Sequence, residues 1–207
     1  MNSSYTKLLS AIGARGSNGA GVPGMSKSWL ARRSRGRSDD AVLGEVTQLF
    51  QACKSIQEIC KVARNRLQAI SPDLSGALYL TSTAGDHLET VMTWGALEAA
   101  EDIFAPDDCW ALRRGRPHLV DRVDDLIACS HTHEDDALWH LCLPLMAQGE
   151  ALGVLYFSVS SGGDKTRINK SLTSDNKLLI YMNFSETLAM ALANMRLRES
   201  LQHQAIR

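Results

Sequence analysis

The run HLCLPLMAQGEALGVLYFSV, residues 140–159, constrains the fold more than any other part of the chain. Its two halves, His140 to Ala147 and Ala151 to Val159, alternate or run apolar on either side of Gln148-Gly149-Glu150, where Gly149 tolerates the positive φ of a tight turn. The pattern predicts an antiparallel hairpin at the centre of a sheet. A second hairpin is expected from Ala77–Thr81 and His87–Trp94 around Ala84-Gly85-Asp86, and a further strand near His118 to Val123.

Helices flank these strands. Val42, Val46, Leu49, Cys53, Ile56, Cys60, Ala63, Leu67 and Ile70 recur at steps of four and three, which is one apolar helical face. Ser55 followed by Glu58 is a capping-box pattern, so the stretch should break near Lys54 and restart, and Ser71-Pro72 should end it. Cys53 and Cys60 lie on the stripe and read as small core residues. Residues 95–107 read as a loop with a short helix, and 160–173 as a polar loop. Asp107 or Asp108 can cap a turn running from Cys109 to Arg114 and stopped by Gly115. From Asp175, Leu178, Met182, Ser185, Ala189 and Leu192 mark a helical face, and Leu188, Met195, Leu197 and Leu201 carry an apolar stripe onward. A long terminal helix that outruns the domain is expected.

Helix, hairpin, connecting segment, hairpin, helix is the order of an α+β fold, an antiparallel sheet of five to six strands flanked by helices. Residues 41–174 form the expected domain and 175–207 the terminal helix. Residues 1–40, rich in Ser, Gly and Arg with no acid before Asp39, cannot bury enough apolar surface to offset their ordering entropy and read as a disordered basic leader. A formal net charge of -1 gives no overall drive toward nucleic acid or acidic membranes, and no stretch approaches the roughly 18 to 20 apolar residues of a bilayer span. Five irregularly spaced cysteines do not suggest a disulfide framework, so mostly free thiols in the cytoplasm are expected.

The chemistry-bearing residue types concentrate between Asp107 and His131. Cys109, His118, Cys129 and His131 offer two thiols and two imidazoles, a set that binds zinc or iron when four converge. Their spacing is unlike a zinc knuckle, and the same residues equally suit the lining of a small-molecule cavity or plain packing. His133 and His140 are weaker candidates. Cys109, in the first turn of a helix with Arg113 and Arg114 nearby, should have its thiolate favoured. Arg113, Arg114 and Arg116 form a basic cluster suited either to solvent or to an anionic ligand. Trp110 reads as a core anchor.

Cys-Trp-Ala-Leu-Arg-Arg-Gly-Arg-Pro-His at 109–118, Cys129-Ser-His131 and Cys-Leu-Pro-Leu-Met-Ala-Gln-Gly-Glu-Ala-Leu-Gly at 142–153 resemble GAF domains, small-molecule sensor modules, over about residues 41–200. The subgroup resembled is the one placed before diguanylate cyclase (GGDEF) domains and some histidine kinases, and Ala191 to Arg207 is similar to the helical connector that enters the cyclase. The resemblance implies a pocket between sheet and covering loops, lined by Cys109, Trp110, Arg113, Arg114, His118, Cys129 and His131. It also implies dimerisation through the terminal helices and an output domain, a GGDEF or kinase unit. No GGDEF signature occurs in the chain, so it is expected to act as a sensor and not as an enzyme, either as part of a longer protein or as a stand-alone relative. One GAF group, the free methionine sulfoxide reductases, uses cysteines placed much like Cys109 and Cys129, which makes a reductase the alternative. This chain lacks the further cysteine that those enzymes keep in the loop before Cys109.

Overall fold

The restart near Lys54 divides the N-terminal helical stretch of the computed structural model, which describes residues 43–97, 102–120, 127–132, 139–159 and 175–205. The expected leader, the polar loop at 160–173 and the candidate His133 lie outside the described residues. Helix α1 covers 43–52 and α2 covers Ile56–Ile70. Ser55 is the N-cap of α2. Its hydroxyl accepts from the Glu58 N–H at 3.3 Å, and the Glu58 carboxylate accepts in return from the Lys54 N–H at 2.7 Å. The box thus closes one residue earlier than its standard form, which uses the N–H of the cap residue itself. Ser71 ends α2 by donating its N–H to Leu67 O.

Strands β1 (Leu74–Thr81), β2 (Leu88–Trp94) and β3 (Ile103–Phe104) follow, then a 3-10 turn at Pro106–Asp108 and the short α3 (Trp110–Arg114). Next come β4 (His118–Val120), β5 (His140–Ala147), β6 (Glu150–Val159) and α4 (Asp175–Ala205). The six strands form one antiparallel sheet in the order β3-β2-β1-β6-β5-β4, so β6 is indeed central, beside β1. The β5–β6 turn is tighter than expected: only Gln148 (φ 53°) and Gly149 (φ 85°) lie between the strands, and Glu150 already pairs with Ala147. Positive φ at both central residues is the two-residue geometry that matches the natural twist of a hairpin.

Alternation gives the sheet two different faces. On one, Leu141, Leu143 and Leu145 of β5 and Leu155 and Phe157 of β6, each 0–1% exposed, meet the helices. Phe157 packs on Tyr181 of α4 (ring centroids 4.9 Å apart) and on Trp94 (5.3 Å), and Phe184 of α4 reaches Phe50 of α1. Ser71 and the Tyr181 hydroxyl share a buried hydrogen bond that ties the end of α2 to α4. Cys53 and Cys60 belong to this helical side and are buried.

Helix α4 is long. At 31 residues it extends about 46 Å. Tyr181, Phe184, Leu188, Leu192 and Met195 are buried, and Arg196 donates to Thr81 O at 3.1 Å. Beyond that tie Leu197 and Leu201, on the apolar stripe of the helix expected to outrun the domain, are 52% and 56% exposed. A cleft of about 220 Å³ lies between α1 and α4, lined in part by Thr47, Phe50, Met190, Asn194 and Arg198. Among the described residues no helix is long and apolar enough to cross a membrane.

Candidate functional site

The second face of the sheet carries a different set of side chains. Alternation puts His140 and Cys142 of β5 opposite the leucines, and register aligns Cys142 with His118 of β4 on one side and Tyr156 of β6 on the other, with Ala77 of β1 next in the row. Over this face lie the 3-10 turn, α3 and the segment 127–132, with Phe104 of the edge strand β3 packed among them. Cys109, Cys129 and Cys142 pack there with Tyr79, Leu88, Phe104, Ala111, Val154 and Tyr156.

Local backbone chemistry fixes the covering segments. Cys109 is the N-cap of α3, not a residue of its first turn, and Asp108 turns back to accept from the Ala105 N–H at 3.1 Å. Gly115 closes α3 in the left-handed conformation (φ 58°). Ser130 donates its N–H to Asp108 O, which docks the 127–132 segment on the 3-10 turn. Thr132 donates to Cys129 O from both its N–H and its hydroxyl, wrapping the chain round Cys129. The Trp110 N–H then donates to the Cys129 sulfur at 3.3 Å.

Four donor atoms converge as a result. One ligand atom each from Cys109, Cys129, His131 and Cys142 lies within 4.8 Å of all the others. The Cys129 and Cys142 sulfurs are 4.0 Å apart, and Cys142 Sγ is 3.6 Å from His131 Nε2. None of the four residues is more than 2% exposed. The His131 ring stacks on Phe104, with centroids 4.2 Å apart and planes 11° from parallel, and meets the edges of Tyr79 and Tyr156, so its orientation is set by aromatic packing. Its Nδ1 has no hydrogen-bond partner among the described residues.

A second group shares one member. His118, Cys129 and His140 also place ligand atoms within 4.8 Å of one another. His118 Nε2 donates to Ile127 O at 2.7 Å, since a carbonyl only accepts, which leaves Nδ1 as its lone pair. His140 is fully buried with neither ring nitrogen hydrogen-bonded among the described residues.

The three thiols share charge unequally. Hydrogen bonds from Cys109 and Cys142 hold the Cys129 thiol far below the ordinary thiol range. The same contact with Cys129 is the chief reason that Cys109 is pushed up to about 12, and bonding to Cys109 and Cys129, with burial, drives Cys142 upward. The thiolate expected at Cys109 is disfavoured there and favoured at Cys129, because Cys109 donates to Cys129 and is buried, which outweighs the helix terminus.

Of the candidates read from the sequence, Cys109, Cys129 and His131 come together, whereas His118 groups with His140 and the shared Cys129. Cys142 escaped notice because in an alternating strand it reads as a small hydrophobe. The available signal was its position two residues after His140 on the same face. Trp110 is half-buried against the cluster's apolar rim, with the Arg113 guanidinium 4.1 Å above its ring. Arg113, Arg114 and Arg116 are exposed.

The GAF domain family profile matches residues 55–192. No curated protein sequence matches the chain. Among solved structures, the GAF domain of an Acinetobacter phosphoenolpyruvate-protein phosphotransferase is similar at a TM-score of 0.58 and 12% identity, over 79% of this chain and 98% of that one. The native GAF domain of the potassium sensor histidine kinase KdpD from Escherichia coli is similar at 0.54 and 15%, over 77% and 97%. The free methionine-R-sulfoxide reductase of Neisseria meningitidis, solved with its substrate, is similar at 0.57 and 16%, over 88% and 99%. At these identities the structural likeness shows the fold alone. The profile match runs from the cap of α2 into the buried part of α4 and takes in every strand, so the chain belongs to the GAF domain family.

Proposed function

We propose that this GAF domain is a cytoplasmic regulatory sensor of the kind that precedes diguanylate cyclase or kinase output domains in bacterial signalling proteins. Its input is a small ligand or a change of redox state at the segment Cys109 to His131, and its output leaves through α4. The observation that carries this reading is the double role of β5: His140 and Cys142 face the cluster while Leu141, Leu143 and Leu145 of the same strand face the helices. A shift of β5 is therefore felt on both faces, because a close-packed core transmits small displacements instead of absorbing them. A coupling of about 1 to 3 kcal/mol, enough for an about 5- to 150-fold change in output, suffices.

The exposed Leu197 and Leu201, beyond the last tie to the sheet, suit a parallel pairing of two α4 helices in a homodimer, through which two output domains would be brought together or held apart. Nucleic acid and membrane have no part in this reading. Nor does catalysis. Incubation with free methionine sulfoxide and a thiol reductant should give no turnover, while sedimentation should show a dimer that Leu197→Glu with Leu201→Glu dissociates. Turnover lost in Cys129→Ser would replace the sensor with the reductase, and a monomer at all concentrations would remove the route through paired helices.

A further inference from the structure

We infer that Cys109, Cys129, His131 and Cys142 form a closed tetrahedral site for one thiolate-preferring divalent metal ion, zinc or ferrous iron. This names the input of the proposed sensor and rests on that reading only for its effect on α4; the site itself stands on its own geometry.

That geometry is specific. Metal bonds of about 2.3 Å to sulfur and about 2.0 to 2.1 Å to nitrogen, at tetrahedral angles, put ligand sulfurs about 3.8 Å apart and a sulfur about 3.6 Å from a ligand nitrogen. The chain holds Cys129 and Cys142 sulfurs at 4.0 Å and Cys142 Sγ to His131 Nε2 at 3.6 Å, so two edges of the tetrahedron already have nearly the right length. All pairs lie within 4.8 Å, and closing the remaining edges asks for small side-chain movements. The donors come from three separate places in the fold, the N-cap of α3, the 129–131 turn and β5.

Plain packing explains the cluster poorly. Aliphatic residues would fill the space without three thiols and an imidazole, and the His131 ring is stacked on Phe104 with Nε2 on the Cys142 sulfur and Nδ1 without a partner among the described residues. The Trp110 N–H on the Cys129 sulfur is the kind of supporting donor that tempers the negative charge of a buried metal–thiolate centre. The alternative group is weaker: it offers three atoms, one of them the shared Cys129. His118 and His140 are supporting imidazoles beside Cys129, not ligands. On binding, the protons still held by the thiols pass to solvent, three metal–sulfur bonds and one metal–nitrogen bond form, and no atom changes oxidation state.

The test is cobalt(II) titration of the reduced, metal-stripped full chain, followed by absorption. Saturation at one equivalent is expected, with thiolate-to-cobalt charge transfer in the near ultraviolet and the strong visible d–d bands of a tetrahedral centre, both erased by zinc. Cys142→Ser and His131→Ala should lose affinity by more than the about 10- to 100-fold typical of a missing supporting residue, while Cys60→Ser keeps the full signal and His118→Ala loses no more than that. Metal analysis of protein purified anaerobically without a histidine tag distinguishes zinc from iron. Should either ligand variant fail to fold, the wild-type titration still decides. A weak octahedral spectrum, no charge-transfer band, two equivalents at saturation, or a loss in His118→Ala as large as in Cys142→Ser would overturn the site. Unchanged solvent exchange in α4 on metal binding would leave the site intact and remove its role as the sensor's input.

Discussion

The two faces of the sheet are built from the same strands by opposite rules. Toward the helices β5 presents leucine at 141, 143 and 145, and the partners are Phe and Leu side chains that need only volume and shape. Toward the loops it presents His140 and Cys142, and the partners are thiols, imidazoles and aromatic rings that need particular protonation states. The first face holds the domain together; the second holds reactive atoms in a buried enclosure where His131 Nδ1 and both His140 nitrogens lack partners among the described residues, a cost that burial on the other side of the same strand offsets. The lesson is that a period of two lets one strand be core and site at once.

Substitutions can break this contrast. The largest effect is expected on the helical face: Leu143→Ala should cost about 2 to 5 kcal/mol in a denaturant melt, through lost burial and a cavity that close packing cannot refill. The loop face should reveal itself through pH. Cys109 has a folded pKa of about 12 against an ordinary 9.0, so the stability it contributes is fully present below pH 9 and is lost as pH rises toward 12. Cys142 is shifted the same way, so its contribution is likewise lost on the alkaline side. The Cys129 shift has the opposite sign: its contribution is present above the ordinary thiol range and falls away as the solution is acidified. The alkaline limb of stability against pH should therefore be flatter in Cys109→Ser than in the wild type, and equally flat in both only if the thiols do not interact.

Smaller effects bracket the helices. Ser55→Ala removes the cap of α2 and should cost about 0.5 to 2 kcal/mol, seen as a shift of the urea midpoint without change of slope. Leu197→Glu and Leu201→Glu, beyond the packed part of α4, should change the stability of an isolated subunit by no more than about 0.5 kcal/mol. A larger loss in the isolated subunit would mean that the domain itself covers the end of α4.

Local chemistry made much of the fold legible. The Ser55–Glu58 box, the proline after Ser71, the glycine at 115 and the Gln148-Gly149 turn each act within a few residues, and each appears where the sequence places it. Strand β3 was read as loop because two residues, Ile103 and Phe104, are too few to show a period; only pairing with Leu88 and Glu89 makes them a strand. The cluster was half legible. Cys109, Cys129 and His131 announced themselves by residue type, but the β4–β5–β6 register that sets Cys142 between His118 and Tyr156 is a long-range pairing with no local mark. Leu197 and Leu201 carry an apolar pattern whose covering partner the pattern alone does not specify.

Amide hydrogen exchange in the reduced chain, with and without one equivalent of zinc, tests the central claim most directly. If the two faces act as one device, zinc slows exchange in β5 and alters it in α4 past Met195, well away from the bound ion. Protection gained only within residues 109–142, with α4 exchanging as before, would contradict the account.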